Sequence, residues 1–581
     1  MMRPIVLTLA LAVLCTDVAR AQSTVDPLAG LWRARRWFGP EVRGPLVIRR
    51  EGTRYTADLN GQMLPVHIEN GELRFEMPRG GGSFRGILQA GAGIVGMWRP
   101  PGTQGNGGYA TPVDLAPAGP DEWHGEVVPY DDTFTFWLLL RRRPDGTYSA
   151  LLRNVERDFG ALLGVKTLVS DSAGVRLIGK APWMRQPAAV ATGRYDAQDS
   201  ALVLSVPSRG GTYEFHRDGD DSAFYPRGKH PARYVYRTPL ARDDGWRSGT
   251  LASVGIDRAG IERAVQAICD TPMDTLDAPQ VHALLIVRHG TLVLEEYFHG
   301  QHRDQLHDLR SASKSLTATL IGAAMRTGAP IGLGTPVYQL MNAGTFPAGL
   351  EPRKRAMTLE HLLNMSSGYF CDDGNMDAPG AEEVMTNQDQ QPDYYRYTLN
   401  VPMAFDPGDT SIYCSANPNL ALGMLARATN EFPPFTFHRL LAKPLRINRY
   451  GWALDPTGQA YGGGSMQMLP RDFMKLGQLM LDDGQWKGKR ILSHEFVARA
   501  TSSIHHIGDR GYGLLWWVVD FPYRGKSIHS FAALGNGGQT VTVFPSLDLV
   551  IATYGGSYAS RGWRYMQGDL IPNYILPAVS Q

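Results

Sequence analysis

The stretch "DLRSASKSLTATLIG", residues 308–322, places Ser311 three positions ahead of Lys314 at the start of an apolar, helix-forming run. Residues three apart on a helix lie on the same face, one turn apart. A serine hydroxyl becomes a good nucleophile only when a neighbouring base accepts its proton. The spacing therefore predicts that the amine of Lys314 points at the hydroxyl of Ser311. The functional interpretation of the C-terminal half of the chain depends on this pair.

The chemistry of this pair depends on the protonation of Lys314. We expect burial behind "LTATLIGAAM" to lower the pKa of the amine from its ordinary value of about 10.4, so that it accepts a proton. Ser311 at the helix start also keeps a free backbone N–H for an oxyanion. The alternative is a helix-capping serine beside a solvated lysine, which a four-residue pattern alone does not exclude.

Length and charge limit the classes of protein. A chain of 581 residues is longer than one hydrophobic core organises, which predicts two or three domains. Lys and Arg number 58 against 56 Asp and Glu, so the net charge of +2 gives no basic field for nucleic acid. A small-molecule or peptide substrate fits better, and the oligomeric state stays open.

No cofactor is expected from the sequence. The histidines are scattered, without the spacing of paired metal ligands, and we interpret them as surface and turn positions. We therefore predict no metal site.

The N-terminus has the three parts of a secretory signal peptide. "MMRP" carries a positive charge, "IVLTLALAVL" is apolar, and "ARA" at 19–21 is a small-residue cleavage site. We predict a signal peptide over residues 1–21 and a periplasmic or secreted mature protein. No later stretch has the roughly 20 apolar residues of a spanning helix, so no integral membrane segment is expected after cleavage.

Residues 22–235 predict an all-β N-terminal domain. The hairpin-like stretch "LVIRREGTRYTA" at 46–57 recurs as "LLLRRRPDGTYSA" at 138–150. Two such units indicate a duplicated β-meander, although hairpins in general resemble one another. The polar, turn-rich residues 236–251 are typical of an interdomain linker.

Residues 252–581 predict an α+β domain. Strands come first in "VHALLIVRHGTLVLEEYF", helical patterns occupy the middle, and strands return in "QTVTVFPSLDLVIATYGG". This order is typical of an antiparallel sheet that both ends of the segment complete.

The run "RSASKSLTATLIGAAMRTGAPIGLGTPVYQL" at 310–340 resembles the nucleophile region of the serine β-lactamase and penicillin-binding-protein superfamily, in its class C β-lactamase-related branch of esterases, DD-peptidases and amide hydrolases. The resemblance covers about residues 250–575 and implies a β-lactamase-like serine hydrolase domain. Further similar stretches follow in the same order: "MTLEHLLNMSSG" (357–368), "FDPGDTSIYCSANPNLALG" (405–423), "GGGSMQMLPRDFMKLGQLMLDDGQWKGKRIL" (462–492) and "ALGNGGQTVTVFPSLDLVIATY" (533–554).

The resemblance assigns three catalytic roles. Ser311 is the nucleophile, Lys314 is the amine beside it, and Tyr413 holds the place of the tyrosine in the family's Tyr-x-Asn or Tyr-x-Ser element. As a phenolate stabilised by Lys314, Tyr413 would take the proton of Ser311 and later activate water. The Lys314–Tyr413 pair then titrates as one unit. The alternative is a core tyrosine with a satisfied hydroxyl.

Two places depart from the family pattern. Ser415 stands where asparagine is usual, and either Ser415 or Asn417 could supply the polar group that contacts the substrate. "ALG" at 533–535 lacks the cation that related enzymes carry as Lys-Thr-Gly or His-x-Gly. That cation holds a substrate carboxylate, and a carboxylate buried without a charge partner costs several kcal/mol. The departure weakens the case for β-lactams and D-Ala-D-Ala ends.

The same strand predicts the second half of an oxyanion hole. The backbone N–H of Asn536 would join that of Ser311, with Gly535 beside the substrate. Upstream, "WW" at 516–517 lies on a predicted strand, where neighbouring side chains point to opposite faces. We take Trp516 as the candidate apolar subsite, with a core position as the alternative.

Three cysteines, Cys269, Cys371 and Cys414, remain after signal cleavage. The resemblance brings Cys371, after the "MSSG" turn, and Cys414, next to Tyr413, towards the cleft. A disulfide between these two would contribute roughly 4 kcal/mol by the chain-entropy argument.

These observations predict an exported serine hydrolase that cleaves a neutral ester or amide through an acyl-enzyme on Ser311. A β-lactamase or a DD-peptidase acting on cell-wall peptides is the alternative within enzymes. A ligand-binding or sensory protein with a vestigial hydrolase fold is the alternative from another class.

Overall fold

A computed structural model describes residues 26–39, 42–89, 93–101, 108–131, 133–157, 159–217, 219–558 and 560–580. The predicted signal peptide lies outside the described residues. Within them, no helix combines the length and the apolar character that crossing a bilayer requires.

In the described part of the N-terminal region, sixteen antiparallel strands form two closed barrels of eight strands each. The strands are β1 (Gly30–Trp37), β2 (Gly44–Glu51), β3 (Arg54–Leu59), β4 (Gln62–Glu69), β5 (Glu72–Glu76), β6 (Ser83–Gln89), β7 (Gly93–Arg99), β8 (Tyr109–Gly119), β9 (Glu122–Val127), β10 (Thr133–Arg142), β11 (Tyr148–Asn154), β12 (Thr167–Asp171), β13 (Gly174–Gly179), β14 (Ala188–Asp196), β15 (Ala201–Val206) and β16 (Gly211–Phe215).

The first barrel pairs β2 to β9 in chain order, and β9 closes on β2. The second barrel pairs β10 to β16 in chain order, and β1 closes it. Arg33 of β1 and His216, just past β16, exchange backbone hydrogen bonds of 2.8 and 2.9 Å. The first strand of the described residues therefore completes the second barrel, a long-range pairing that local sequence patterns do not encode.

The two similar hairpins of the sequence occupy the same place in both barrels. The first hairpin is β2–β3 and the second is β10–β11, which open their respective barrels. Alternating side chains such as Leu46 and Ile48, or Phe136 and Leu138, point inward and fill the interiors. The prediction of an all-β region of repeated meanders is confirmed.

The C-terminal domain is built on a nine-stranded sheet in the order β17-β19-β18-β30-β29-β28-β27-β26-β25. Strands from both ends of the segment meet where β18 pairs with β30, as predicted, and the α+β fold class is confirmed. Its strands and two short sheets are β17 (Arg247–Ser248), β18 (Val281–Arg288), β19 (Thr291–Tyr297), β20 (His307–Asp308), β21 (Tyr450–Ala453), β22 (Gln467–Met468), β23 (Gln485–Trp486), β24 (Lys489–Arg490), β25 (His505–Ile507), β26 (Arg510–Tyr512), β27 (Trp517–Tyr523), β28 (Lys526–Gly535), β29 (Gln539–Phe544) and β30 (Leu549–Gly555).

Helices cover both faces of this sheet. α2 packs on one face with the C-terminal helical segment that ends in α14, and α3, α9 and α12 lie on the other face. The α-helices are α1 (Phe159–Leu163), which lies in the second barrel, α2 (Arg258–Cys269), α3 (Ser313–Arg326), α4 (Val337–Met341), α5 (Pro352–Ala356), α6 (Leu359–Leu363), α7 (Glu382–Thr386), α8 (Tyr394–Asn400), α9 (Ala416–Thr429), α10 (Pro433–Phe437), α11 (Lys443–Leu445), α12 (Pro470–Leu481), α13 (His494–Ala500) and α14 (Leu576–Ala578).

Hydrogen-bonded strands connect the first barrel to the catalytic domain. Tyr109 and Ala110, at the start of β8, pair with β21, which pairs with β22, which pairs with β20. β20 ends two residues before the Arg310–Ala312 turn, which carries Ser311. The barrel is therefore part of the framework behind the nucleophile.

The segment 236–251, predicted as a linker, packs closely on the catalytic domain. The buried Trp246 donates its indole N–H to the carbonyl of Arg471 at 3.0 Å and meets Trp486 edge to face. The next two residues form β17, which pairs in parallel with β19. This segment therefore adds an edge strand to the catalytic sheet.

Three histidines that we expected at surface or turn positions are buried instead. Nδ1 of His282 lies 2.8 Å from Nε2 of His307, and His299 packs against His282. Burial lowers the pKa of His299 to about 3 and that of His307 to about 4. These rings are neutral near pH 7, and the scattered spacing in the sequence gave no sign of their meeting.

Candidate active site

Ser311 lies in a 3₁₀ turn, Arg310–Ala312, that leads directly into α3. Lys314, in the first turn of α3, places its Nζ 3.0 Å from Oγ of Ser311. The side chain of Ser311 is half-buried, whereas Lys314 is only 1% exposed. The serine is thus partly exposed, and the amine is sealed behind it.

Tyr413 comes to the same point from the loop before α9. The Nζ of Lys314 is 5.0 Å from the centre of its ring. Trp517 stacks on the ring with a centroid distance of 5.6 Å and an interplanar angle of 23°. The structure thus brings together all three residues to which the sequence assigns catalytic roles.

The expectation of a lowered pKa for Lys314 is wrong. Burial does lower it, but the electrostatic interactions with Tyr413, Glu382 and Asp373 act more strongly together, and the pKa is raised overall. Lys314 is therefore an ammonium near neutral pH and donates to Oγ of Ser311. It cannot take the serine proton in that state, which leaves Tyr413 as the candidate acceptor.

The two carboxylates near Lys314 were not predicted. Oδ1 of Asp373 accepts the backbone N–H of Glu382 at 3.0 Å, and Oε1 of Glu382 accepts the hydroxyl of Tyr461 at 2.6 Å. Burial raises the pKa of Asp373, and the positive charge of Lys314 opposes that effect. The acidic stretch after Cys371 was the only sequence signal, and it looks like an ordinary polar loop.

A disulfide joins Cys371 to Cys414, whose Cα atoms are 5.6 Å apart and which are separated by 43 positions in sequence. It lies beside both Asp373 and Tyr413, and the backbone N–H of Asp373 donates to the carbonyl of Tyr413 at 3.0 Å. Cys269 is buried and is the free cysteine among the described residues. The disulfide ties the acidic loop to the tyrosine loop.

The two candidate polar contacts for substrate are both buried. Ser415 donates its hydroxyl to Oδ2 of Asp373 at 2.6 Å and is 0% exposed. Asn417, in α9, is 1% exposed and places Nδ2 3.8 Å from the sulfur of Met365. Ser415 thus holds a carboxylate in place, and neither residue presents a surface to a ligand, contrary to our expectation.

Gly535 ends β28 directly against the nucleophile turn. A Cβ at this position would lie 2.4 Å from the carbonyl oxygen of Leu309 and 2.9 Å from the backbone nitrogen of Ala312. Only glycine allows the strand to approach this closely. Asn536 follows and is exposed. This contact sets the strand end beside Ser311, where we predict the two oxyanion donors, Ser311 and Asn536.

Trp516 is a core residue and not a cleft residue. It is 0% exposed and packs edge to face on Phe531 at 5.6 Å. Strand β27 begins only at Trp517, and that tryptophan, half-buried, stacks on Tyr413. The prediction chose the wrong tryptophan of the pair. Neighbouring side chains on a strand point to opposite faces, but the sequence does not say which of the two faces the core.

An α+β domain in which a half-buried serine, a sealed ammonium and a tyrosine meet has the arrangement of a serine hydrolase with a Ser-x-x-Lys nucleophile. Residues 273–555 match the family model described as Beta-lactamase. This part of the chain is a Beta-lactamase domain, and the protein is a serine hydrolase.

Similar proteins cover mainly this domain. The 6-aminohexanoate-dimer hydrolase of Paenarthrobacter ureafaciens is 26% identical over 395 residues, which are 59% of this chain and 96% of that protein. A penicillin-binding-protein homologue from Caulobacter crescentus has a TM-score of 0.42 at 13% identity and covers 53% of this chain and 95% of its own. A D-stereospecific amidohydrolase from Streptomyces sp. has a TM-score of 0.40 at 16% identity, with 53% and 98% covered.

Asp373→Asn removes a negative charge that raises the pKa of Lys314, so that pKa falls. We expect the alkaline limb of the pH dependence of kcat/KM to move to lower pH by about one unit or more. Asp377→Asn, an exposed change in the same loop, serves as the control and leaves the profile in place. A profile that is identical in wild type and Asp373→Asn contradicts the electrostatic role.

We expect alanine substitutions of the two neighbouring tryptophans to have different effects, one on activity and the other on stability. Trp517→Ala removes the ring that stacks on Tyr413, and we expect kcat to fall about tenfold, the worth of an aromatic pair. Trp516→Ala empties a core site, and we expect the free energy of unfolding to fall by about 3–5 kcal/mol. Steady-state kinetics and urea unfolding of both variants check this. A Trp517→Ala enzyme with unchanged kcat contradicts the positioning role.

Proposed function

We propose that the protein is an exported serine hydrolase that cleaves an ester or amide through an acyl-enzyme on Ser311. The observation that carries this proposal is the 3.0 Å contact between Nζ of Lys314 and Oγ of Ser311, at the end of a buried charge network. The relative from Paenarthrobacter ureafaciens is named a 6-aminohexanoate-dimer hydrolase, which supports a small-molecule substrate.

In the proposed acylation step, Tyr413 as phenolate takes the proton of Ser311, and Oγ attacks the carbonyl carbon of the substrate. The backbone N–H groups of Ser311 and Asn536 stabilise the oxyanion, each worth about 10²–10³ in rate. The tetrahedral intermediate collapses, the carbonyl–leaving group bond breaks, and Tyr413 returns the proton to the leaving group.

Deacylation repeats this sequence with water. Tyr413 takes a proton from water, the hydroxide attacks the acyl carbon, and Ser311 leaves with the proton that Tyr413 returns. Throughout, the ammonium of Lys314 stabilises the negative charge that alternates between Tyr413 and Oγ. This use of a charged lysine fits the raised pKa of Lys314.

Ser311→Ala and Tyr413→Phe test the assignment. We expect wild type to react with a fluorophosphonate probe and to hydrolyse p-nitrophenyl esters. Ser311→Ala loses both, and Tyr413→Phe loses about 10²–10⁴ in kcat/KM because its ring cannot carry the proton. Ser502→Ala, an exposed serine, is the control and keeps full activity.

The outcomes also separate the alternatives. Turnover of a chromogenic cephalosporin at rates above those of the esters favours the β-lactamase or DD-peptidase alternative. A folded wild-type protein that neither reacts with the probe nor hydrolyses any ester overturns the proposal and favours the ligand-binding alternative.

Export is proposed from residues 1–21, which have the parts of a signal peptide. We expect the full chain, expressed in a bacterium, to reach the periplasm with Gln22 as its N-terminal residue, as mass spectrometry of the purified protein would measure. A chain that starts with Met directly before Gln22 stays in the cytoplasm and is the control. Full-length protein that keeps Met1 in the cytoplasm contradicts export.

A further inference from the structure

The two predicted oxyanion donors lie on separate turns of the chain. The N–H of Ser311 belongs to the nucleophile turn, Arg310–Ala312, and that of Asn536 belongs to the oxyanion turn, residues 536–538 between β28 and β29. One oxyanion forms in each tetrahedral intermediate, so both N–H groups must point at the same place. Groups of an active site must be held within about 0.5 Å of the productive geometry. The site therefore needs contacts that fix the two turns relative to each other.

The direction of the first donor is set by Arg310. Its carbonyl belongs to the same peptide group as the N–H of Ser311, and it accepts the hydroxyl of Ser313 at 2.8 Å and the backbone N–H of Ser465 at 3.1 Å. A trans peptide group is planar, and its N–H points away from its carbonyl. These two hydrogen bonds therefore also fix the direction of the Ser311 N–H, which can shift only together with Arg310.

Gln539, the first residue of β29, holds the oxyanion turn from the inside. Its side chain is 0% exposed. Its Nε2 donates to the carbonyl of Asn536 at 3.2 Å, to the carbonyl of Gly555 at 2.6 Å and to the hydroxyl of Tyr558 at 3.1 Å. A glutamine amide nitrogen carries two hydrogens, which these three acceptors share. The turn that carries Asn536 is thus tied to the end of β30 and to Tyr558.

Tyr558, three residues past β30, contacts both turns. A Cβ at Gly537 would lie 2.8 Å from two ring carbons of Tyr558, and the φ of Gly537 is 91°. Only glycine combines this conformation with so close an approach. The guanidinium carbon of Arg310 lies 5.0 Å from the centre of the same ring, within the range of a cation–π interaction. One buried ring therefore joins the oxyanion turn to the residue that orients the N–H of Ser311.

Backbone contacts fix Tyr558 in its turn. The N–H of the preceding residue, Ser557, donates to the carbonyl of Gly537 at 3.1 Å. The hydroxyl of Ser557 accepts the backbone N–H of Gln280 at 2.9 Å, and Ser557 is buried. The ring of Tyr558 thus starts from a backbone that is bound on two sides, and Gln539 holds its hydroxyl.

We propose that Gln539 and Tyr558 are positioning residues that hold the two oxyanion donors at one place. This inference rests on the proposed hydrolase function, to which it adds the contacts that set the geometry of the oxyanion hole. Neither side chain donates to the oxyanion itself. They act through Asn536 and Arg310, and their loss lets the two N–H groups move apart.

Tyr558→Leu removes the ring between the two turns. With p-nitrophenyl acetate we expect kcat to fall about 10–100-fold, because a donor worth about 10²–10³ in rate is displaced and not removed. Acylation and deacylation both pass through an oxyanion and slow alike, so KM changes by less than about twofold. Tyr558→Phe keeps the ring and both of its contacts, and its kcat stays within about threefold of wild type.

Gln539→Met is the second variant, since methionine has a similar length but no amide. It removes the hydrogen bonds to Asn536 and Tyr558. We expect the same fall in kcat at nearly constant KM, so this variant decides the question if Tyr558→Leu does not fold.

Tyr523→Leu is the matched control. Tyr523 is also a buried tyrosine, with the guanidinium carbon of Arg524 5.3 Å from its ring centre and its hydroxyl on the carbonyl of Val579 at 2.9 Å. It pairs with Lys526, at the opposite end of β28 from the oxyanion turn. We expect kcat and KM within about twofold of wild type. The proposal is overturned if kcat is equal in wild type and Tyr558→Leu, or falls as far in Tyr523→Leu.

Backbone amide hydrogen exchange separates this proposal from the hydrolase function. The N–H of Ala312 donates to the carbonyl of Leu309 in the nucleophile turn, and that of Ser557 donates to the oxyanion turn. We expect both amides to exchange about tenfold faster or more in Tyr558→Leu than in wild type, and to be unchanged in Tyr523→Leu.

Unchanged exchange at Ala312 in Tyr558→Leu overturns the proposal, because the ring would then not connect the two turns. If exchange rises in both turns but wild type neither reacts with the fluorophosphonate nor hydrolyses any ester, the hydrolase function fails while the connection through Tyr558 stands.

Discussion

The buried ammonium of Lys314 is the charge on which the rest of the site depends. A charge sealed from water costs several kcal/mol unless partners surround it. Its partners are the hydroxyl of Ser311, the ring oxygen of Tyr413 and the carboxylates of Asp373 and Glu382. They come from separate segments of the chain, so the ammonium is stable only when these segments are folded together.

Further contacts hold the partners of this ammonium in place. The disulfide joins the acidic loop to the tyrosine loop, and the buried hydroxyl of Ser415 holds the carboxylate of Asp373. Trp517 fixes the plane of Tyr413 from the other side. Each contact orients a group before substrate arrives, which is how preorganised sites avoid reorganisation during the reaction.

The sequence predicted those parts of the site that follow from local spacing. Ser311 and Lys314 meet because three residues make about one helical turn, and the order of strands and helices predicted the α+β sheet. Asp373 and Glu382 were missed because an acidic loop carries no periodic signal. The sign of the shift in the pKa of Lys314 was wrong for the same reason, since burial is visible in an apolar run but the opposing charges are not.

The barrels were predicted as strands, but their relation to the site was not, because closure and docking depend on pairings between distant parts of the chain. β8 of the first barrel pairs with β21, and this pairing continues through β22 to β20, which ends at Asp308. The carboxylate of Asp308 accepts the backbone N–H of Arg310. Arg310 has a φ of 48°, a left-handed conformation that is strained for a residue with a side chain. Such strain persists only where surrounding contacts fix it. The first barrel supplies part of that framework through β21 and β22, and the turn that presents Ser311 is therefore a property of the whole chain and not of the catalytic domain alone.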